Sequence, residues 1–378
     1  MGCEATFAWQ HPRFGMALAL LENAMKTKET IRIDGSQGEG GGQMLRTSLT
    51  LSALRGVPFE MEKIRAKRAR PGLKRQHLTC VLAVAEICGA ETKGAEVGSM
   101  NLSFSPGQIK GGEYRFEIDT AGSVTLVAQT VIPVLLRADA PSSVTITGGT
   151  NVPFAPIWEF FERTYLPQVR AMGASVEASL VRYGFYPAAG GEIRLEIQPI
   201  RKSRTYKLNG LGAYRGGKVV GIVANLKRAI AQTEVQIVIE AFPELALQRE
   251  VLSVESVGPG NCCYAQLDYE NGSVVISEVG SFEKYRKTVA NDVVLQVRKF
   301  LDAGASVEVH LADQLLTPLY ACTKGTGYAG EYVTGPASAH LATNIDVIRR
   351  FDGDWQIESQ DMKQENRVKY RCGDKTSE

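Results

Sequence analysis

Two hydrophobic periods take turns along this chain. Thr30–Asp34 alternates apolar and polar positions and predicts a strand. Gln43–Leu54 sets Met44, Leu45, Leu49, Leu51 and Leu54 at helical spacing, and Arg55-Gly56 ends the run. His77–Cys88 predicts a second helix, stopped by Gly89. Tyr114–Asp119 predicts a strand, Ser123–Leu136 an apolar helix interrupted at Pro133, and Ser143–Thr147 another strand. Pro156–Met172 predicts a helix ended by Gly173.

The order strand, turn, helix, closing strand recurs at Ile31–Phe59 and Ile118–Ile146. A third, weaker copy begins near Val307 and includes Leu341–Phe351. Copies of one α/β unit therefore build the main body. The stretch from Lys207 to Ala305 breaks the rhythm with strands at Val219–Val223, Ala265–Asp268 and Val274–Val279 and helices at Gln232–Glu240 and Lys287–Leu301. It enters and leaves at polar or glycine-containing stretches, as tolerated insertions do. The expected organisation is an extension over 1–29, a repeat body over 30–206 with 306–352, an inserted domain over 207–305, and a polar, frayed tail over 353–378. Within the extension, MALALLENAM (Met16–Met25) suits a short amphipathic helix, and MGCEAT fits a myristoylation pattern at Gly2.

Composition narrows the class. With 378 residues, 44% of them hydrophobic and 22% charged, the chain can bury a sizeable core, which excludes global disorder and a disulfide-stapled module. The net charge of +2 requires that any nucleic-acid contact come from a local basic patch. The seven cysteines form no C-x-x-C pair, so a reducing compartment is expected. No apolar run reaches the roughly 18 residues of a membrane span. A cytoplasmic location follows as the expectation, or a nuclear one in a eukaryotic host.

Three segments carry candidate chemistry. GSQGEGGGQ (35–43) follows a strand and opens a helix, and five of its nine residues are glycine. Such a turn lets backbone N–H groups and a helix N-terminus approach an anion. Glu39 inside it is unfavourable next to phosphate unless a cation intervenes. A hard divalent ion, Mg²⁺ or Mn²⁺, shared with substrate phosphates satisfies both. IRAKRARPGLKRQH (64–77) holds Arg65, Lys67, Arg68, Arg70, Lys74 and Arg75 with no acid between them. Its arginines favour bidentate phosphate contacts, as on an RNA or polyphosphate track. PASAHLATNIDVIRRF (336–351) puts His340 near a helix N-terminus, where the dipole disfavours imidazolium and leaves a neutral, nucleophilic ring.

GSQGEGGGQMLR, RPGLKRQH, GFYPAAGGEI and AHLATNI, in that order, resemble the RNA 3′-terminal phosphate cyclases over about residues 30–352. The resemblance implies an α+β fold. Three tandem repeats like the C-terminal domain of translation initiation factor 3 carry one smaller inserted α/β domain. It also implies a three-step reaction with ATP and an RNA 3′-phosphate as substrates. A histidine takes AMP from ATP, the AMP passes to the RNA 3′-phosphate, and the vicinal 2′-hydroxyl closes a 2′,3′-cyclic phosphate.

By this resemblance the nucleophile is His340, attacking through Nε2, and the metal-holding glutamate is Glu39. ATP-binding roles map to Gln43, Arg46, Gln129, Pro153 and the stretch His310, Leu311, Ala312, Asp313, Gln314. RNA-phosphate roles map to Arg65, Arg68, Gln76 and His77. The family often has tyrosine where His310 stands and glycine where Ala189 stands. Repeats of this size also suit a homodimer. The rival of a different class is a cyclase-like scaffold of ribosomal RNA processing, which is expected to lack the nucleophile; His340 argues against it. A transferase of small phosphorylated metabolites on a related repeat fold would need neither the histidine nor the arginine track.

Overall fold

A computed structural model of the chain describes residues 29–282, 284–362 and 367–375. The Met16–Met25 helix and the MGCEAT pattern lie outside the described residues. Four four-stranded sheets result, and three share one topology. In the first, β1 (Ile31–Asp34) pairs in parallel with β2 (Phe59–Glu62), and β4 (Leu102–Ser105) runs antiparallel between β2 and β3 (Glu91–Lys93). The second repeats this with β5 (Glu113–Glu117), β6 (Ser142–Gly148), β7 (Ser175–Arg182) and β8 (Gly191–Gln198). The third does so with β9 (Tyr206–Leu208), β14 (Ala329–Thr334), β15 (Trp355–Met362) and β16 (Arg367–Asp374). The repeat unit is strand–helix–strand–helix–hairpin.

The helices bury their apolar stripes together. α1 (Gly42–Arg55) packs against α2 (Arg75–Cys88), α3 (Val124–Leu135) and α9 (Ala339–Phe351). α1 and α2 each stop at a glycine in the left-handed region, Gly56 (φ 61°) and Gly89 (φ 59°), whose N–H groups satisfy the last carbonyls. α4 is a helical run of Trp158–Phe160, a π-turn at Phe161–Tyr165 and Leu166–Ala171. Pro133 does not interrupt α3 as the sequence implied. The helix continues through it to Leu135, because a proline this close to the end removes only one backbone bond before the helix stops.

The fourth sheet, between β9 and β14 in the chain, has the order β11-β10-β12-β13. It comprises β10 (Tyr214–Ala224), β11 (Gln248–Ser253), β12 (Gly260–Tyr269) and β13 (Gly272–Val279). Helices α5 (Ala229–Ala241) and α6 (Arg286–Ala303) cover it, and Val219, Val235, Leu267 and Val293 belong to a core of its own. β11 escapes the hydrophobic pattern because it is an edge strand that opens Gln248-Arg249-Glu250.

The expected frayed tail is a correction. Residues 355–362 and 367–374 supply the two paired strands that complete the third repeat, which opens at β9 rather than near Val307. Few apolar residues are needed because each points inward: Trp355, Ile357, Tyr370 and Cys372 are all buried. Trp355 meets Tyr320 edge-on at 5.1 Å and donates from Nε1 to the Thr323 hydroxyl at 3.2 Å. No helix among the described residues is long and apolar enough to cross a membrane.

Candidate active site

The strands of the parallel pairs run out into loops that open the next helix. Residues 35–41 lead from β1 into α1, 63–74 from β2 into α2, and 335–338 from β14 into α9. Packing of α1 on α9 brings two of these helix N-termini together. Gly38 needs to be glycine twice over. Its φ is +53°, and a Cβ there would stand 2.4 Å from Thr343 Oγ1. The Glu39 N–H donates to that same hydroxyl at 3.1 Å, which pins the glycine loop one turn beyond His340.

His340 is the second residue of α9, whose N-cap Ser338 accepts the Leu341 N–H at 3.1 Å. His340 Nδ1 lies 2.8 Å from Gln43 Oε1. The Gln43 amide is oriented by its other end, because Nε2 donates to the Asp313 carboxylate. An amide oxygen can only accept, so Nδ1 carries the ring proton and Nε2 keeps its lone pair. Asp313 is placed on α7 (Val309–Gln314) by Asn344, which donates to the Asp313 carbonyl at 2.8 Å and accepts from Thr47 at 2.7 Å.

Electrostatics keep the ring neutral. Burial lowers the His340 pKa below the ordinary value, with the charges of Arg46, His310 and Arg68 adding to the effect. Nε2 lies 3.6 Å from Glu39 Oε1, the oxygen that pairs with Arg68. The other Glu39 oxygen is buried with no hydrogen-bond partner. Arg46, one turn into α1, has no ion-pair or hydrogen-bond partner among the described residues. Its Nη1 would stand 3.3 Å from a Cβ at Gly42. Burial lowers its pKa, but a guanidinium stays charged. A neutral nucleophile, an uncommitted half-buried cation and a half-satisfied carboxylate thus lie together, an arrangement suited to nucleotidyl transfer from a polyphosphate.

A profile of the family described as "RNA 3'-terminal phosphate cyclase" matches residues 37–354. A protein of that name from Pseudomonas fluorescens is 44% identical over 328 residues, covering 86% of this chain and 93% of the relative. Others so named are 43% identical (Ectopseudomonas mendocina, 86% and 93% covered) and 42% identical (Ralstonia nicotianae, 88% and 94% covered). The chain belongs to the RNA 3′-terminal phosphate cyclase family.

Measured against this cyclase fold, the residues singled out in the sequence divide. Glu39, Gln43, Arg46, Arg68, Asp313 and His340 converge. Gln129 donates to Gln314 at 2.6 Å, tying α3 to the end of α7. His310 is exposed at the start of α7, where Glu308 caps the helix by accepting from the His310 and Leu311 N–H groups. Leu311 and Ala312 face the core, and the Ala312 carbonyl accepts from Tyr332 at 2.9 Å. Pro153 lies in the loop between β6 and α4, whose π-turn packs on α7.

The basic segment also divides. Arg65 is buried and donates to the carbonyls of Arg70 (2.9 Å) and Gly72 (2.7 Å), so it braces the loop, whereas Arg68 stays half exposed beside Glu39. Gln76 accepts the Ser123 N–H at 2.8 Å, joining the starts of α2 and α3. Thr343 and Asn344 had no assigned role, although both stand inside the AHLATNI motif; their fourfold spacing from Ala339 and His340 was the available signal.

His77 is neutral. Burial, with Arg65, Arg46 and Lys74 nearby, pushes its pKa down to about 3, and Nδ1 accepts the Lys74 N–H at 3.2 Å. Nε2–H is its remaining donor, beside Gly42, where a Cβ would come within 2.2 Å. In the unfolded chain His77 titrates near its ordinary 6.5. Between pH 6.5 and 3 the unfolded state binds the extra proton, so acidification destabilises the fold by up to about 1.4 kcal/mol per pH unit from this group. His77→Asn keeps an acceptor for Lys74 and is expected to flatten the stability curve in that window. Urea titrations of both proteins at a series of pH values measure the difference; parallel curves would refute it.

Proposed function

We propose that this chain converts an RNA 3′-phosphate into a 2′,3′-cyclic phosphate with ATP as the energy source, through a covalent AMP on His340. The single observation that supports it most is the His340–Gln43–Asp313 chain, which leaves Nε2 unprotonated beside Arg46, Arg68 and Glu39.

In the first step the Nε2 lone pair forms a bond to the α-phosphorus of ATP, and the bond to the pyrophosphate oxygen breaks. The adduct retains the Nδ1 proton, so the ring becomes cationic. Gln43 Oε1 accepts from that N–H and spreads the charge towards Asp313. Burial and the neighbouring cations that disfavour imidazolium also make the ring a good leaving group. In the second step an oxygen of the RNA 3′-phosphate attacks the same phosphorus, and the P–Nε2 bond breaks. The ring returns to its neutral state with Nδ1–H in place. In the third step the 2′-hydroxyl attacks the activated 3′-phosphorus, AMP leaves, and the hydroxyl proton is lost. This closure is intramolecular and gains from high effective concentration.

Arg46 is the residue best suited to charge on the transferring phosphate, with Arg68 flanking it. The buried, unpartnered oxygen of Glu39 fits a divalent cation. Among the described residues no cluster of three ligating side chains accompanies it, so phosphate and water oxygens would complete the shell. When bound, Mg²⁺ or Mn²⁺ would offset phosphate charge in the transition state. Glu39→Ala is expected to raise the metal concentration for half-maximal protein labelling by about ten- to a hundredfold, with folding retained. An unchanged metal dependence would remove Glu39 from the site.

The reading is tested with an RNA oligonucleotide bearing a 3′-phosphate. The expected product end resists phosphatase and appears with equimolar AMP and pyrophosphate. An end that lacks the 2′-hydroxyl should stop at the adenylate. Cyclisation without AMP release would overturn the scheme.

A further inference from the structure

Among the described residues five large aromatic rings are exposed, and four of them, Phe154, Tyr186, Phe282 and Tyr285, sit on loops gathered at one junction. The fifth, Tyr328, lies elsewhere on the chain, in the turn before β14. The gathering is read from contacts. The loop after β6 and the loop after β7 join through an Asn151–Phe185 bridge. Phe185 lies against Gly260, where a Cβ would come within 2.2 Å of its ring, and a Cβ at Gly258 would meet Ala188 at 2.3 Å. The turn after β10 reaches the same place, since Asn225 donates to the Ser256 carbonyl at 2.9 Å. The turn after β13 joins it through Gly280, whose N–H donates to the Asn261 carbonyl at 2.9 Å.

This junction faces the start of α4. The Val275 N–H donates to Thr164 Oγ1 at 2.9 Å, and Gly272 stands against Gln168, so α4 runs antiparallel to β13. Following β13 forward therefore leads past Phe282 and Tyr285 to the N-terminal end of α4, the end reached from the Phe154 loop. The π-turn of α4 packs on α7, which carries Asp313. Exposed cations Lys227, Arg286 and Lys287 belong to the same loops, with Arg228 beside them donating to the Val251 carbonyl at 2.7 Å.

Resting on the cyclase reading, we propose that this aromatic ridge between the second repeat and the inserted domain holds the single-stranded RNA leading to the reacting 3′ end. Phe282 and Tyr285 stack successive bases, and Arg286 and Lys287 meet the backbone. Large rings left in water beside exposed cations suit a flexible polyanion whose every base offers a π-face. A protein partner would prefer a ridge with a polar rim and fewer exposed cations. Stacking reads no base edge, so the ridge would confer length dependence without sequence dependence.

The test compares wild type with Phe282→Ala/Tyr285→Ala in the full chain. Three readouts are taken: protein labelling by ATP, cyclisation of a 3′-phosphorylated RNA of about ten nucleotides, and cyclisation of a short 3′-phosphorylated dinucleotide. Expected are unchanged labelling, unchanged handling of the dinucleotide, and a KM for the longer RNA raised about tenfold or more. Photocrosslinks from the longer RNA should map to residues 282–287 in wild type. Equal KM values for the longer RNA, or crosslinks mapping away from this junction, would overturn the ridge while leaving the cyclase reading intact. Absence of labelling in both proteins would instead count against the His340 chemistry, and RNA binding by fluorescence anisotropy would still report on the ridge.

Discussion

Asp313→Asn is expected to slow adenylate transfer to the protein by about a hundred- to ten-thousandfold, although it removes no atom from the nucleophile. The reason is the direction of the hydrogen bonds. In the native chain the Asp313 carboxylate accepts from Gln43 Nε2, which turns Gln43 Oε1 towards His340 Nδ1. An asparagine amide can donate at that position, and Gln43 can then flip to present its NH₂ to Nδ1. The favoured ring tautomer becomes Nε2–H, and the lone pair that attacks phosphorus is lost. Asp313→Ala, which leaves Gln43 without this anchor but does not invert it, is expected to be the milder change. ATP binding measured by equilibrium dialysis should change little beside the loss in rate. If Asp313→Asn and Asp313→Ala slow labelling equally and mildly, the tautomer argument is wrong. Burial pushes Asp313 up to about 7, with Glu308 adding and Arg46 opposing, so the anchor itself titrates near neutrality.

His340→Ala is expected to leave no labelled protein after incubation with ATP radiolabelled at the α-phosphate, a loss of about 10⁴-fold or more. In wild type the label should be acid-labile and base-stable, as a phosphoramidate is, and should map to the peptide containing His340. The substitution is mild for folding. The side chain is 46% exposed, and its hydrogen bond to Gln43 contributes about 1 kcal/mol. Loss of labelling with unchanged thermal stability therefore reports chemistry. Label that survives the substitution would assign the nucleophile elsewhere.

These two residues show how legibility divided. His340 stood out because it is rare, and glycine and proline precede a helical run directly after it. Asp313 was reached only through resemblance, and its bond to Gln43 spans 270 positions of sequence. No local period encodes such a pairing; it exists because α1, α7 and α9 share one core. Arg65 and Arg68 looked equivalent in one basic run. The loop turns one guanidinium inward onto carbonyls and the other outward beside Glu39. The polar strand pair at 355–362 and 367–374 escapes the hydrophobic pattern for a related reason. It buries only four apolar residues inward, too few to register as a period but enough once β14 supplies a surface for β16.

By itself the sequence determined the secondary structure of the strongly periodic segments, the repeat of strand and helix, and the glycine, basic and histidine segments as the places where chemistry sits. These are local properties, set by side-chain spacing, backbone freedom and helix-end dipoles. The tertiary structure alone decided which acceptor holds the Nδ1 proton of His340, which arginine is uncommitted, where the third repeat begins and ends, and where the exposed aromatic rings gather. Each of those depends on groups far apart in the chain whose hydrogen bonds and burial arise only when the helices and sheets pack.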